Sequence, residues 1–219
     1  MGRHVGRFVP VSFASVSLAV VLFSSACGLT PADEELAGSD DGPACPDVDR
    51  PSPVALTPGT IVEYPSAGAE HVLCEVAYAT SPPTSGSHFP AWQNCGFYTS
   101  PVRDETAVHA LEHGAIWIAY APDLASEQRA AIEALVATDP HWLASPYPGL
   151  RNPIVLSAWT RQLAVDDIGD PMVAIFAAAQ LGRVSQTAPE AGAICAEQIG
   201  VAPTDPDAGY TELLRRLEG

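Results

Sequence analysis

Asp104-Glu105-Thr106-Ala107-Val108-His109-Ala110-Leu111-Glu112-His113-Gly114-Ala115-Ile116-Trp117-Ile118-Ala119-Tyr120 reads as a short helix, a stop and a strand. Asp104 suits an N-cap and Glu105 the first turn, where acidic groups meet the helix dipole favourably. Gly114 suits the stop, because glycine takes the left-handed backbone that ends a helix. The helix expected is therefore Glu105 to His113. Ala115 to Tyr120 follows as an apolar strand, ended by Pro122.

Working outward, Ser126 heads a second helix to about Thr138, with Ala130, Ile132, Leu135 and Val136 on its buried face. Ile154 to Trp159 is another strand, and Gln162 to Val165 extends it or pairs with it. Asp170-Pro171 opens a third helix, cap then proline at the first helical position, and Gly182 closes it. Tyr210 to Leu217 is a weak terminal helix. Upstream, Thr60 to Tyr64 and His71 to Tyr78 look like strands by residue type and partial alternation. Thr80 to Val102 is long, irregular and dense in Pro, Gly and Ser, yet its Phe89, Trp92, Phe97 and Tyr98 argue that it packs. Strands and helices so mixed imply an α+β fold: one small domain, a mixed sheet covered by helices.

The first residues belong to no domain. Arg3 and Arg7 form a basic start, and Val9 to Phe23 is an apolar run too short to span a bilayer comfortably. That is a signal peptide. Ser24-Ser25-Ala26-Cys27-Gly28 places small residues before a cysteine, as lipoprotein processing requires. Lipidating Cys27 also resolves parity, because it leaves four of the five cysteines: Cys45, Cys74, Cys95 and Cys195. An even set in an exported chain implies disulfides, and we expect Cys95–Cys195 and Cys45–Cys74. The organisation expected is a signal peptide over 1–26, a Pro/Gly/Ser-rich acidic tether over 27–52, a globular domain over 53–203 and a C-terminal helix over 204–219.

The formal charge is −16, with 10 basic residues against 26 acidic. All the basic residues are Arg. Nucleic acid is excluded as a partner, since it needs basic patches. The membrane is reached through the lipid at Cys27, at the extracytoplasmic face; without lipidation the chain is secreted.

One constellation carries chemistry. His109 and His113 stand at i and i+4 on one helix face, close enough to share a metal. His88 arrives from the Pro-stiffened loop just upstream. Three neutral imidazoles with an open fourth position suit copper or zinc. Glu112 is placed to accept a hydrogen bond that fixes a ligand's tautomer. His109-Ala110-Leu111-Glu112-His113 is also a literal H-x-x-E-H, the inverzincin pattern with Glu as base, for which Glu190 and Glu197 are third ligands by position only. His71 and His141 stand alone and read as ordinary histidines. Met172, the only internal methionine, reads as core; as a ligand it would favour copper.

The run Ser81-Pro82-Pro83-Thr84-Ser85-Gly86-Ser87-His88, then Trp92-Gln93-Asn94-Cys95-Gly96-Phe97-Tyr98, then Val108 to Ile118, closely resembles the signature of a bacterial family known as domain of unknown function 3105. Ser145 to Leu150, Ser157-Ala158-Trp159 and Pro189 to Cys195 fit it too, so the resemblance covers about Tyr64 to Cys195. It implies an extracytoplasmic domain with His88, His109, Glu112 and His113 as signature positions, and no reaction.

Three readings follow: a metal-binding lipoprotein using His88, His109 and His113; a small metal-dependent hydrolase with Glu112 as general base; or a structural, partner-binding envelope lipoprotein. The anchor can be tested apart from all three. Expressed whole in a bacterial host, the chain should partition into the detergent phase of a Triton X-114 extraction, and Cys27→Ser should stay in the aqueous phase.

Overall fold

A computed structural model describes residues 51–217, together with Gly2. The expected signal peptide, most of the tether, Cys27 and Cys45 lie outside the described residues. Six strands form one mixed sheet: β1 (Ile61–Glu63), β2 (Gly96–Phe97), β3 (Ile116–Tyr120), β4 (Trp142–Pro146), β5 (Ile154–Ala158) and β6 (Arg161–Val165). Their spatial order is β1-β6-β5-β3-β4-β2. β4 is parallel to both β2 and β3; the other pairings are antiparallel. The helices are α1 (Asp104–Glu112), α2 (Ser126–Val136), α3 (Pro171–Gln180) and α4 (Tyr210–Leu217). The class is α+β, as expected.

Strand alternation sorts the core into two layers. Ile116, Ile118 and Tyr120 of β3 face the layer that holds Ile132 and Val136 of α2 and Val173 and Phe176 of α3. Trp117 and Ala119 face the other layer, with Ala107, Val108, Ala110 and Leu111 of α1. Both faces of β3 are thus covered, which is why its five residues are all buried and show no polar alternation.

α1 begins one residue earlier than expected. Arg103, in extended backbone, is the cap position, and Asp104 is the first helical residue. α3 opens as read, with the Asp170 side chain accepting from the Met172 amide and Pro171 at the first position. Gln162 to Val165 pairs with β5 instead of extending it.

One strand reading needs correction, and one strand was not read. Residues 71–78 form no strand; His71 makes only an isolated parallel bridge to His88, while Glu105 Oε1 takes the Val76 amide at 2.9 Å. The backbone there spends its hydrogen bonds on loop and side-chain partners. Trp142–Pro146, in turn, is a strand that its composition conceals. It is buried on both faces and ends in proline.

Cys95 and Cys195 are joined, closing a loop of 100 residues. In the chain-entropy view such a link is worth about 4–5 kcal/mol. Cys74 is also disulfide-bonded; its expected partner, Cys45, lies outside the described residues. No helix among the described residues is long and apolar enough to cross a membrane.

Gly114 ends α1 at φ +89°, and a Cβ there would lie 2.6 Å from the Gly182 carbonyl oxygen. The Gly182 amide donates to the Gly114 carbonyl at 2.7 Å, so the two backbones meet with no room between them. Gly114→Ala should cost about 1–3 kcal/mol for the left-handed backbone alone. Urea unfolding should show a lower midpoint at unchanged slope.

Candidate metal centre

α1 is a helix with no solvent face: residues 105 to 112 are all buried. Its polar side chains must therefore find partners inside the protein, because an unsatisfied buried polar group costs about 1–3 kcal/mol. Thr106 and Glu105 do so locally. Thr106 donates to Gln93 Oε1 at 2.8 Å, and Glu105 accepts from Val76. His109 and Glu112 point instead toward His88 and His71.

The loop that carries His88 is registered by backbone bonds. The Val72 amide donates to the His88 carbonyl at 2.8 Å, and the His88 amide to the Glu70 carbonyl at 2.9 Å. This bridge puts His71 beside His88. The ring centroids of His71, His88 and His109 then lie 4.7 to 5.1 Å apart. One donor atom from each of His71, His88, His109 and Glu112 falls within 4.8 Å of the others. This group of three histidines and a glutamate can hold a metal ion. His88, His109 and Glu112 are buried, and His71 is exposed.

Tautomers follow from the carbonyls that the rings meet. His88 Nδ1 lies 2.9 Å from the Gly86 carbonyl oxygen, and His109 Nδ1 lies 2.7 Å from that of Phe89. A carbonyl only accepts, so each Nδ1 carries the hydrogen and each Nε2 presents a lone pair. Metal-binding histidines are held in this way. His88 Nε2 is buried with no hydrogen-bond partner, although Glu112 Oε2 is only 3.0 Å away. The short distance and the missing hydrogen bond are compatible. With the ring hydrogen spent on Gly86, nitrogen and carboxylate meet as two acceptors.

Protonating the imidazoles is a poor remedy. Burial holds His88 down at about 4 and His109 at about 3. Burial, then the charge of Glu190, pushes Glu112 up to about 7. A proton on Glu112 relieves the contact at low pH; at higher pH a cation held between the donors would do the same.

His113 sits at the end of α1, its ring 4.8 Å from that of His109, but outside the group of four. Its Nδ1 donates to the Ile194 carbonyl at 2.6 Å, and its Nε2 lies 3.4 Å from Glu190 Oε2. Trp92 packs on His113, centroids 4.6 Å apart, and donates to the Ala196 carbonyl. His141 is engaged elsewhere, with Asp139 and the Ala193 carbonyl. Met172 packs against the core layer of α2 and α3, and the histidines face the layer of α1. Among the described residues no cysteine joins the group. His71 is the member that sequence reasoning left out. It has no helical spacing to announce it, and only the bridge to His88 brings it in.

A family model described as a protein of unknown function, DUF3105, matches residues 71–197. The match covers more than half of the chain, begins at His71 and includes the whole group of four. The chain belongs to this family. No curated protein and no solved structure matches it.

In the metal-free chain these titrations oppose one another. The folded value of Glu112 lies above its ordinary 4.5, so its contribution is full at low pH and is lost as pH rises through about 7. The folded values of His88 and His109 lie below 6.5, so theirs is full above 6.5 and is lost as pH falls toward 4 and 3. Glu112→Gln removes only the first. Chelator-stripped Glu112→Gln should melt above wild type at pH 8 and match it near pH 4.5. A gain independent of pH would contradict this account.

Proposed function

We propose that this member of the DUF3105 family is an exported lipoprotein, anchored at Cys27 on the extracytoplasmic face, whose domain binds a transition-metal ion, copper or zinc, through His71, His88, His109 and Glu112. The observation that carries the reading is the buried Nε2 of His88. It has no hydrogen-bond partner, and it is aimed at a carboxylate 3.0 Å away within a set of four donors. Two donors each about 2.0–2.1 Å from one tetrahedral ion lie about 3.3 Å apart, and cis donors on an octahedral ion about 2.9 Å. An ion therefore accommodates the separation that two bare acceptors do not.

The donor set speaks to the metal. Three imidazoles and a carboxylate, with no thiolate or thioether, suit zinc or copper(II) better than copper(I). Fixed Nδ1 donors on His88 and His109 mean that little reorganisation is needed when the ion arrives. His71, exposed, supplies the side from which an ion enters.

A hydrolase with Glu112 as base draws less support. Glu112 is itself one of the four donors. Two cavities among the described residues, of about 430 and 200 Å³, are lined by other residues, the first by Phe97, Tyr120, Pro146 and Arg129 among them. An ion needs no such cavity, whereas a peptide or ester does.

Elemental mass spectrometry after dialysis should find zinc or copper in the purified chain. His109→Ala should lose it, and His71→Ala should bind at least roughly tenfold more weakly, since even ligand-orienting partners are worth about 10–100-fold in affinity. A chain that carries no metal and takes up neither zinc(II) nor copper(II) on titration leaves the histidines architectural, and the proposal fails.

A further inference from the structure

Strands β2, β3 and β4 run parallel, and they end at Phe97, Tyr120 and Pro146. All three of these last residues line the cavity of about 430 Å³. α2, the crossover between β3 and β4, forms another wall. Where helices connect parallel strands, ligands bind in the crevice just beyond the carboxyl ends of those strands. The volume also falls in the range of about 300–1,000 Å³ usual for small-molecule sites. Tyr120 and α2 belong to the core layer opposite the one that holds α1, and none of the four metal donors lines the cavity.

The floor is apolar and aromatic. The Phe97 and Tyr120 rings are stacked, with planes 7° apart and centroids 5.9 Å apart. The Tyr120 hydroxyl donates to the Tyr98 carbonyl at 2.6 Å, which fixes the ring and spends its hydrogen. Pro101, Pro122, Pro146 and Pro148 supply much of the remaining wall. Proline has a fixed φ and no amide hydrogen, so these positions hold their shape and donate nothing to a ligand. Recognition of polar groups therefore falls to side chains.

Two charged side chains line the same cavity, Arg129 and Glu133 of α2. They stand at i and i+4, with the cation nearer the helix start, the less favourable order for pairing along a helix. Among the described residues neither forms an ion pair. Both are nonetheless felt at the floor. Burial holds the Tyr120 hydroxyl up at about 12, while Arg129 pulls it down and Glu133 pushes it further up. One unmatched cation and one unmatched anion thus flank an aromatic floor. A ligand with a single charge meets its opposite on one side and its like on the other. A ligand with both charges meets two opposites, and its apolar part meets the rings.

We infer that this cavity is a binding site for a small zwitterion, a free amino acid with an aromatic side chain, whose carboxylate pairs with Arg129 and whose ammonium pairs with Glu133. Arg suits the carboxylate, because its planar guanidinium can take both oxygens at once. The Phe97 and Tyr120 rings suit an aromatic side chain, which stacks offset or edge-on against them. Walls of proline are preformed, so little ordering opposes the ligand.

The purified full chain is titrated with L-phenylalanine, followed by amide NMR shifts. Binding should saturate, with the largest shifts at Phe97, Tyr120, Arg129 and Glu133. Phenethylamine and 3-phenylpropanoate keep the ring and one charge each. Each should bind at least roughly tenfold more weakly, the loss expected for one charge-assisted contact. Arg129→Gln should weaken L-phenylalanine by a similar factor and leave phenethylamine no weaker. Glu133→Gln should weaken L-phenylalanine and spare 3-phenylpropanoate. Both side chains are exposed, so both variants should fold as wild type does. No saturable shift with L-phenylalanine overturns the proposal. Equal binding of either singly charged analogue overturns the zwitterion as ligand. Binding that neither variant weakens places the amino acid elsewhere and overturns the site.

Discussion

Helix α1 lies between the sheet and the irregular segments, with residues 105 to 112 out of solvent, and most of the molecule is arranged around that burial. A helix of nine residues that faces only protein must pack its apolar side chains and satisfy its polar ones at once. Ala107, Val108, Ala110 and Leu111 do the first, in the layer beneath Trp117 and Leu143. The second task explains the unusual length of the neighbouring loop. Phe89 supplies a carbonyl for His109, Gln93 a side chain for Thr106, and His88 a ring beside Glu112. A short connection could not wrap the helix in this way. Residues 80 to 102 are therefore long because the helix they cover is polar on the side away from the sheet.

The satisfaction is complete at the nitrogens that face backbone and incomplete at those that face one another. Three imidazoles, at His88, His109 and His113, each spend Nδ1 on a carbonyl. If these were only structural histidines, the second nitrogen would be expected to meet a donor or water. Instead the remaining nitrogen of His88 meets the Glu112 carboxylate without a hydrogen bond, while that of His113 lies 3.4 Å from the exposed Glu190. Burial pushes His88 toward neutrality and pushes Glu112 toward protonation, which disfavours an ordinary ion pair between them. The same arrangement becomes favourable once a cation replaces the missing hydrogens.

Much of this was legible in the sequence, and the failures have physical causes. α1, β3, α3 and α4 were readable because each carries a local signal: a glycine stop, an apolar run, a cap followed by proline, an amphipathic end. Trp142–Pro146 was not, because a short strand buried on both faces lacks alternation and a terminal proline disguises it. Residues 71–78 misled in the opposite direction. Their β-branched and aromatic content suits a strand, but only His71 finds a bridge partner. The centre itself was half legible. His109, Glu112 and His113 share a helix and so share a period. His88 was reachable by its proximity in sequence. His71 belongs to the group through a pairing between two irregular segments, and no local pattern encodes such a pairing. That disulfides form was accessible from cysteine parity, whereas Cys95–Cys195 was one of three pairings that four cysteines allow.

That link has a second consequence beyond loop entropy. Cys95 lies in the segment that covers α1, and Cys195 immediately follows Ile194, whose carbonyl orients His113. The Cys95 amide donates to the Cys195 carbonyl at 2.7 Å, and Trp92, three residues before Cys95, donates to Ala196. The covalent bond therefore joins the two segments whose carbonyls hold the imidazoles on either side of the helix. Hydrogen bonds alone would have to fix those segments against about 1–2 kcal/mol of backbone entropy per ordered residue. An irregular scaffold can present donors at fixed separations only if something other than regular secondary structure pins it. In this domain the sheet positions α1 from below, and the disulfide with its flanking bonds positions the loops from above. The donor atoms lie at the seam between those two constraints.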